Sequence, residues 1–281
     1  MRIDTHHHLW DMSSLERDWL TGDALDPIKR NFTMHNFLIE HEDSKIDLSI
    51  LVQSATSYDE LPEMFEVAQE HQSIAGLVAW IDMSANDCIN RLSAYLDYPG
   101  AEKLIGIRDG AQGRSDTSWL RSESVINNVK KLAKSGFTFD LLVDPPHLAA
   151  SIALAQQVPE SIFILDHIGK QNIAKREISE WATAIKELAK SENVFCKISG
   201  MVTEANWKNW ENRDFKPYFE VVLENFGFDR IMFGSDWPVC KLAATYNQVV
   251  ELAEFLVSEF SEAEKDNFWC NTAQKAYGIY L

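Results

Sequence analysis

An α/β fold, a (β/α)8 TIM barrel forming one domain over residues 1–281, is what this sequence predicts. Three observations lead there. Eight short apolar runs alternate with helical stretches, and several are nearly continuous in Ile, Leu, Val and Phe, as parallel strands covered on both faces are. The length suits one barrel of roughly 250 residues better than two domains. No GxGxxG or GxxxxGK(S/T) turn occurs, so a doubly wound nucleotide-binding sheet, the runner-up, lacks its signature.

The first run, "RIDTH" (2–6), leads into a long first connection over residues 11–46, in which only "MHNFLIEHEDSK" looks helical. So long a connection is expected near the barrel mouth or at a subunit contact, which leaves room for a homo-oligomer. After "DLSILVQ" (47–53), Leu61, Met64, Phe65 and Ala68 fall at helical spacing, with Ser57 as a candidate cap. "IAGLVAWID" (74–82) precedes the stripe Ile89, Leu92 and Leu96. "KLIGIRD" (103–109) precedes Val125, Val129 and Leu132, closed by Gly136. "FTFDLLVD" (137–144) and "SIFILDH" (161–167) follow, and then Ile178, Trp181, Ile185 and Leu188. "NVFCKIS" (193–199) introduces Tyr218, Val221, Val222 and Phe226, stopped by Gly227. "RIMFGSD" (230–236) is the last strand, before Val249, Leu252, Ala253 and Leu256.

Net charge is 26 − 43 = −17, which argues against a nucleic-acid partner, since such partners select basic surfaces. No apolar run reaches the ~20 residues that cross a bilayer, and no basic-then-apolar leader opens the chain. A membrane role is not expected, and the cytoplasm is the expected compartment. Cys88, Cys196, Cys240 and Cys270 lie far apart without a CxxC pair, which suits reduced thiols.

The stretch "IDTHHHLW" (3–10) carries chemistry. On a strand, alternate side chains face opposite ways, so His6 and His8 point together while Ile3, Thr5 and His7 share the other face. The apolar flanks Ile3, Leu9 and Trp10 set these histidines apart from a purification tag. In a barrel of this class the reactive side chains sit at the C-terminal ends of strands. Those ends carry His6, His8, Gln53, Asp82, Arg108, Asp109, Asp144, Asp166, His167, Lys197, Ser235 and Asp236. Within that set, His6, His8, His167 and Asp236 are the ligand types that hold zinc or a similar divalent ion; a hydrogen-bonded cluster without metal is the alternative.

The HxH after the first strand, "DHIGK" after the sixth and "FGSDWP" after the eighth resemble the amidohydrolase superfamily. The wider series "IDTHHHLWD", "LVQ", "VAWID", "GIRD", "DHIGK", "CKISG" and "FGSDWPVC" is similar to its lactonase branch, which includes L-fuconolactonases, L-rhamnonolactonases and pyrone-dicarboxylate lactonases. The resemblance implies that His6, His8 and His167 are metal ligands and that Asp236 is ligand or general base. Binuclear members bridge two metals with a lysine or glutamate on the fourth strand, where Arg108 stands here. The fifth strand has no histidine at its tip, His147 lying three residues beyond. One divalent ion, zinc foremost, or none is therefore implied, since the branch contains members that need no metal. The implied reaction is opening of a sugar-acid lactone; the metal-dependent decarboxylases of the same superfamily, which share these residues, are the alternative.

In lactone opening, Asp236 is expected to take a proton from water and return it to the departing ring oxygen, with His167 beside it. The fork of Arg108 suits a substrate oxygen, with an ion pair to Asp109 or Asp82 as its structural alternative. Gln53, Trp80, His147, Lys197 and Trp237 are the remaining candidates for substrate contact; the competing assignments are a surface position for His147, a structural ion pair for Lys197 and a loop-shaping role for Trp237.

Overall fold

Eight parallel strands hydrogen-bond in chain order: β1 (Ile3–His7), β2 (Leu48–Val52), β3 (Ile74–Ala79), β4 (Leu104–Arg108), β5 (Thr138–Leu141), β6 (Phe163–Leu165), β7 (Val194–Ile198) and β8 (Ile231–Phe233). The structure, a computed structural model, describes residues 1–280. The sheet curls until β8 returns to β1, where a parallel bridge joins His7 to Trp237. This is the (β/α)8 barrel. The strands are shorter than their apolar runs: "RIMFGSD" contributes only Ile231–Phe233 to the ladder. Asp109, Asp166, His167 and Asp236 therefore lie just past the strand ends, where the chain can turn over the barrel mouth.

The helices are α1 (Met34–His41), α2 (Glu60–Glu70), α3 (Cys88–Ser93), α4 (Glu123–Lys134), α5 (Leu148–Gln157), α6 (Ser179–Ala189), α7 (Met201–Glu204), α8 (Asn212–Phe226), α9 (Tyr246–Val257), α10 (Glu262–Asp266) and α11 (Thr272–Tyr277). The expected stripes are the buried faces: Leu61, Met64, Phe65 and Ala68 in α2, and Trp181, Ile185 and Leu188 in α6. Two local expectations fail, and one helix went unmarked. Ser57 does not cap α2, which starts at Glu60 behind Asp59. Leu96 lies past the end of α3, in turns that precede Pro99 and Gly100. The sequence shows no stripe for α5 because "LAASIALAQQ" is apolar almost all round. Among the described residues no helix is long and apolar enough to cross a membrane.

Strand β1 departs from simple alternation. Its register against β2 shifts between Asp4 and His7. Ile3 packs in the inner cluster with Ile50, Val52, Ile164 and Tyr277, yet His6 also lies inside the barrel, against Arg108 and Lys197. An irregularity of this kind re-aims side chains, and it corrects the expectation that Ile3 and His6 face opposite ways.

The β8–β1 seam is stitched by side chains. Asp4 Oδ1 accepts the backbone N–H groups of His6 (3.1 Å) and Ser235 (2.8 Å), and Asp4 Oδ2 accepts from the Tyr246 hydroxyl (3.1 Å). The Asp236 N–H donates to the His6 carbonyl at 2.8 Å, and the Thr5 hydroxyl to the Phe233 carbonyl at 2.5 Å. Asp4 is fully buried, so losing its carboxylate would leave two buried N–H donors without acceptors. Asp4→Ala should lower unfolding stability by roughly 2–5 kcal/mol in urea titration, and Asp4→Asn, which keeps one acceptor oxygen, by clearly less. Equal losses would mean that the seam does not depend on these acceptors.

Candidate active site

Five strand ends deliver side chains to one cluster. β1 contributes His6 and leads to His8, β4 contributes Arg108, the turn after β6 carries Asp166 and His167, β7 contributes Lys197, and the turn after β8 carries Asp236. Asp236 Oδ1 lies 3.9 Å from His6 Nε2, 3.5 Å from His8 Nε2 and 3.8 Å from His167 Nε2. His6, His167 and Asp236 offer ligand atoms all within 4.8 Å of one another. The four residues expected to form the cluster are brought together.

Hydrogen-bond partners assign the ring nitrogens. His8 Nδ1 faces the Val52 carbonyl at 2.8 Å; a carbonyl only accepts, so Nδ1 carries a proton and Nε2 is turned toward the cluster. His6 sits between two cations, with Arg108 Nη1 3.2 Å from Nε2 and Lys197 Nζ 3.2 Å from Nδ1. The two Nε2 atoms lie 3.2 Å apart beside a carboxylate oxygen. A proton between the two rings, or a cation, satisfies atoms so close. A divalent ion fits the same cradle: tetrahedral bonds of about 2.0–2.1 Å place ligand atoms about 3.3 Å apart.

Burial sets the protonation states. It pushes His167 down to about 4 and holds His6 well below the ordinary imidazole value. Burial alone would raise Asp236, but His167, His8 and His6 outweigh it and keep the carboxyl well below its usual range. Behind His6 runs a buried charge network that reaches the pocket at Arg108. Lys197 Nζ lies 2.7 Å from Asp140 Oδ2, 3.0 Å from Asp166 Oδ1 and 3.2 Å from His6 Nδ1. Arg108 Nη1 pairs with Asp166 Oδ2 at 3.1 Å, and the Tyr277 hydroxyl donates to Asp140 Oδ2 at 2.7 Å. Burial raises Asp140 to about 6, whereas Lys197 and His6 keep Asp166 ionised against the same burial.

A pocket of about 390 Å3 opens onto this cluster, within the usual size range of small-molecule sites. His8, Gln53, Arg108, His167 and Asp236 line it, and Trp19 brings the long first connection to its rim. Four other expected contacts lie elsewhere. Trp237 is wholly buried between Phe32 and Phe37, with ring centroids 5.3 Å from each. Lys197 sits beneath His6 in the charge network, and Trp80 donates to Asp109 at 3.1 Å. His147 is buried, bonded through Nδ1 to Asp144 and through Nε2 to the Arg114 carbonyl at 3.2 Å. In each case the side chain's direction is set by a packed partner that strand position does not reveal. Sequence reasoning passed over Asp140, Tyr277 and Ser199; the last lies 2.9 Å from His167 Nδ1. A carboxylate inside the apolar run "FTFDLLVD" was the available signal for Asp140.

An NMR titration of His167 should find it neutral down to mildly acidic pH, with a midpoint at about 4. Because that value lies below the ordinary 6.5, the unfolded chain binds the proton first. His167 therefore removes native stability as pH falls from about 6.5 towards about 4. A midpoint near 6.5 would show that water reaches the cluster freely.

The chain is 30% identical to an L-fucono-1,5-lactonase of Burkholderia multivorans, over 99% of this chain and 96% of that protein. A crystal structure of an amidohydrolase from Burkholderia multivorans with bound zinc superposes with a TM-score of 0.93 at 30% identity, covering all of both chains. A probable 2-pyrone-4,6-dicarboxylic acid hydrolase from Acinetobacter baumannii shares the fold, with a TM-score of 0.78 at 18% identity and 99% of each chain covered. The amidohydrolase family model matches residues 3–279, and the chain belongs to that family.

Proposed function

We propose that this enzyme hydrolyses a sugar-acid lactone to the free acid, with Asp236 as general base. The observation that carries the reading is an ionised carboxylate, buried among three imidazoles, on the wall of a pocket of lactone size. The likeness to an L-fucono-1,5-lactonase along nearly the whole chain supports an aldonolactone as substrate. Four buried, unpaired thiols suit a cytoplasmic enzyme of carbohydrate metabolism.

Asp236 orients a water and takes its proton as the oxygen bonds to the lactone carbonyl carbon. The developing oxyanion needs fixed donors. Arg108 lines the pocket and is anchored by Asp166 and by the Gln53 carbonyl, to which its Nη2 donates at 2.8 Å, so its fork is in place before substrate arrives. The bond from the carbonyl carbon to the ring oxygen then breaks, and Asp236 returns the proton to the departing alkoxide. Its depressed pKa keeps Asp236 available as a base at every physiological pH. Its modest basicity suits an alkoxide, which takes the proton back readily. Gln53, which lines the pocket, is a candidate to meet a substrate hydroxyl.

The donor set of His6, His8, His167 and Asp236 would hold a divalent ion, zinc by ligand type. When bound, such an ion supplies Lewis-acid polarisation of an ester carbonyl and of the attacking water. Zinc should bind metal-free protein at one equivalent in calorimetry, and His8→Asn should weaken it at least tenfold. Unchanged binding would place zinc elsewhere on the chain.

A pH-indicator screen of L-fucono-, L-rhamnono- and galactonolactones should show acid release on one stereochemical subset. Asp236→Asn should lower kcat by about 10³-fold or more with the thermal midpoint nearly unchanged, the scale of losing a positioned base. Full activity in that variant would remove Asp236 from the mechanism.

A further inference from the structure

The loop after β4 carries an arginine in an unusually fixed pose. Arg114 lines the pocket, yet its side chain is 38% exposed. Three contacts hold it: Nε donates to the Gly110 carbonyl at 2.8 Å, Nη2 to Asp109 Oδ1 at 2.9 Å, and the guanidinium carbon lies 3.9 Å from the Trp119 ring centroid. The anchors are themselves fixed. Asp109 is buried and also accepts from Trp80 Nε1 and from the Met83 N–H. The Arg114 carbonyl is tied to His147, whose other nitrogen is bonded to Asp144. Exposed arginines ordinarily lose side-chain freedom on being held, so one pinned at both backbone and fork is organised for recognition.

Two of its five N–H groups have protein acceptors, which leaves three on the two Nη atoms for a ligand. Charge narrows the choice of ligand. Every cation at this pocket already faces a carboxylate: Arg108 faces Asp166, Arg114 faces Asp109, and Lys170 faces Glu204 at 2.8 Å. Such a pocket gains little from a second carboxylate on the ligand, whereas hydroxyl oxygens can accept the spare hydrogens without a net charge.

We propose that Arg114 is a specificity-determining residue that reads hydroxyl groups of an uncharged polyhydroxy lactone, and that His147 is a positioning residue holding its loop. The proposal rests on the lactonase reading and adds the residue that selects among lactones. Arg114→Met keeps an apolar stem over Trp119 and removes the fork, while Asp109 keeps its bonds from Trp80 Nε1 and the Met83 N–H; an unchanged thermal midpoint checks that the fold is kept. With the best aldonolactone from the screen and unsubstituted δ-valerolactone as paired substrates, Arg114→Met should reduce the aldonolactone preference in kcat/KM about tenfold, chiefly through KM. His147→Gln should lower the same preference by a smaller factor, although His147 touches no substrate. An unchanged preference in Arg114→Met, with wild-type turnover intact, overturns this inference alone. A wild type inert on every lactone overturns the hydrolase reading and this inference with it.

Discussion

Strands β8 and β1 share a single bridge in place of a regular ladder, and Asp4 supplies what the ladder lacks. Its carboxylate gathers amide hydrogens from both sides of the seam and a hydroxyl from α9. His6 is two residues along one side, and Asp236 is one residue beyond the other amide, so the position of Asp236 relative to the three imidazoles depends on this junction. A backbone ladder would impose a strand register there. A side-chain acceptor allows the irregular turn that brings Asp236 Oδ1 within 4 Å of three ring nitrogens. The histidine–aspartate cluster is thus built on the closure of the barrel that secondary structure does not complete.

Beneath the cluster, charge balance performs a similar task. Asp140 and Asp166 face Lys197 and Arg108, with His6 among them. In a medium of low dielectric, removing one member would strand its partners, so the set stands or falls together. The consequence at the surface is chemical. His6 is held between Arg108 Nη1 at Nε2 and both Asp166 Oδ1 (3.3 Å) and Lys197 Nζ (3.2 Å) at Nδ1, and these contacts fix the plane of its ring. His6 has no contact with solvent, so its orientation is set by these partners alone.

How much could be read in advance follows from what each feature depends on. The barrel was legible because parallel strands covered on both faces are apolar throughout, and His6, His8, His167 and Asp236 because barrel topology brings strand ends to one mouth. Side-chain direction past those ends was not legible. Trp237 follows Asp236 directly, yet its ring lies in the layer of Phe32 and Phe37. His147 closes a short 3-10 turn begun by Pro145 and is carried under the Arg114 loop. Lys197 is visible as a lone cation in an apolar strand, but its partners come from β1, β5 and the turn after β6, which no local pattern connects. The shift in β1 leaves no mark in the alternation of "IDTHH". Arg114 lies in a loop, where periodicity says nothing.

Backbone conformation at the two reactive turns explains why local propensity fails there. His167 (φ 53°), Ile168 (φ 51°) and Lys170 (φ 49°) follow β6 in the left-handed region, and Asp236 (φ 58°) does the same after β8. Each such residue costs about 1–2 kcal/mol unless its surroundings over-determine it. They do: Trp181 Nε1 donates to the Ile168 carbonyl at 2.8 Å, and Ser199 meets His167 Nδ1. Between the two turns, the chain after β7 must be small. A Cβ on Gly200 would lie 2.6 Å from His167 Nδ1, and Gly200 is itself left-handed, so no side chain can be added there without moving the imidazole. The reversal of both turns across this gap is what aims an imidazole and a carboxylate at each other from strands that do not pair. Conformations so costly leave the reactive wall little freedom to vary, and discrimination between substrates then falls to loops such as the one bearing Arg114, whose backbone is not bound by the same geometry.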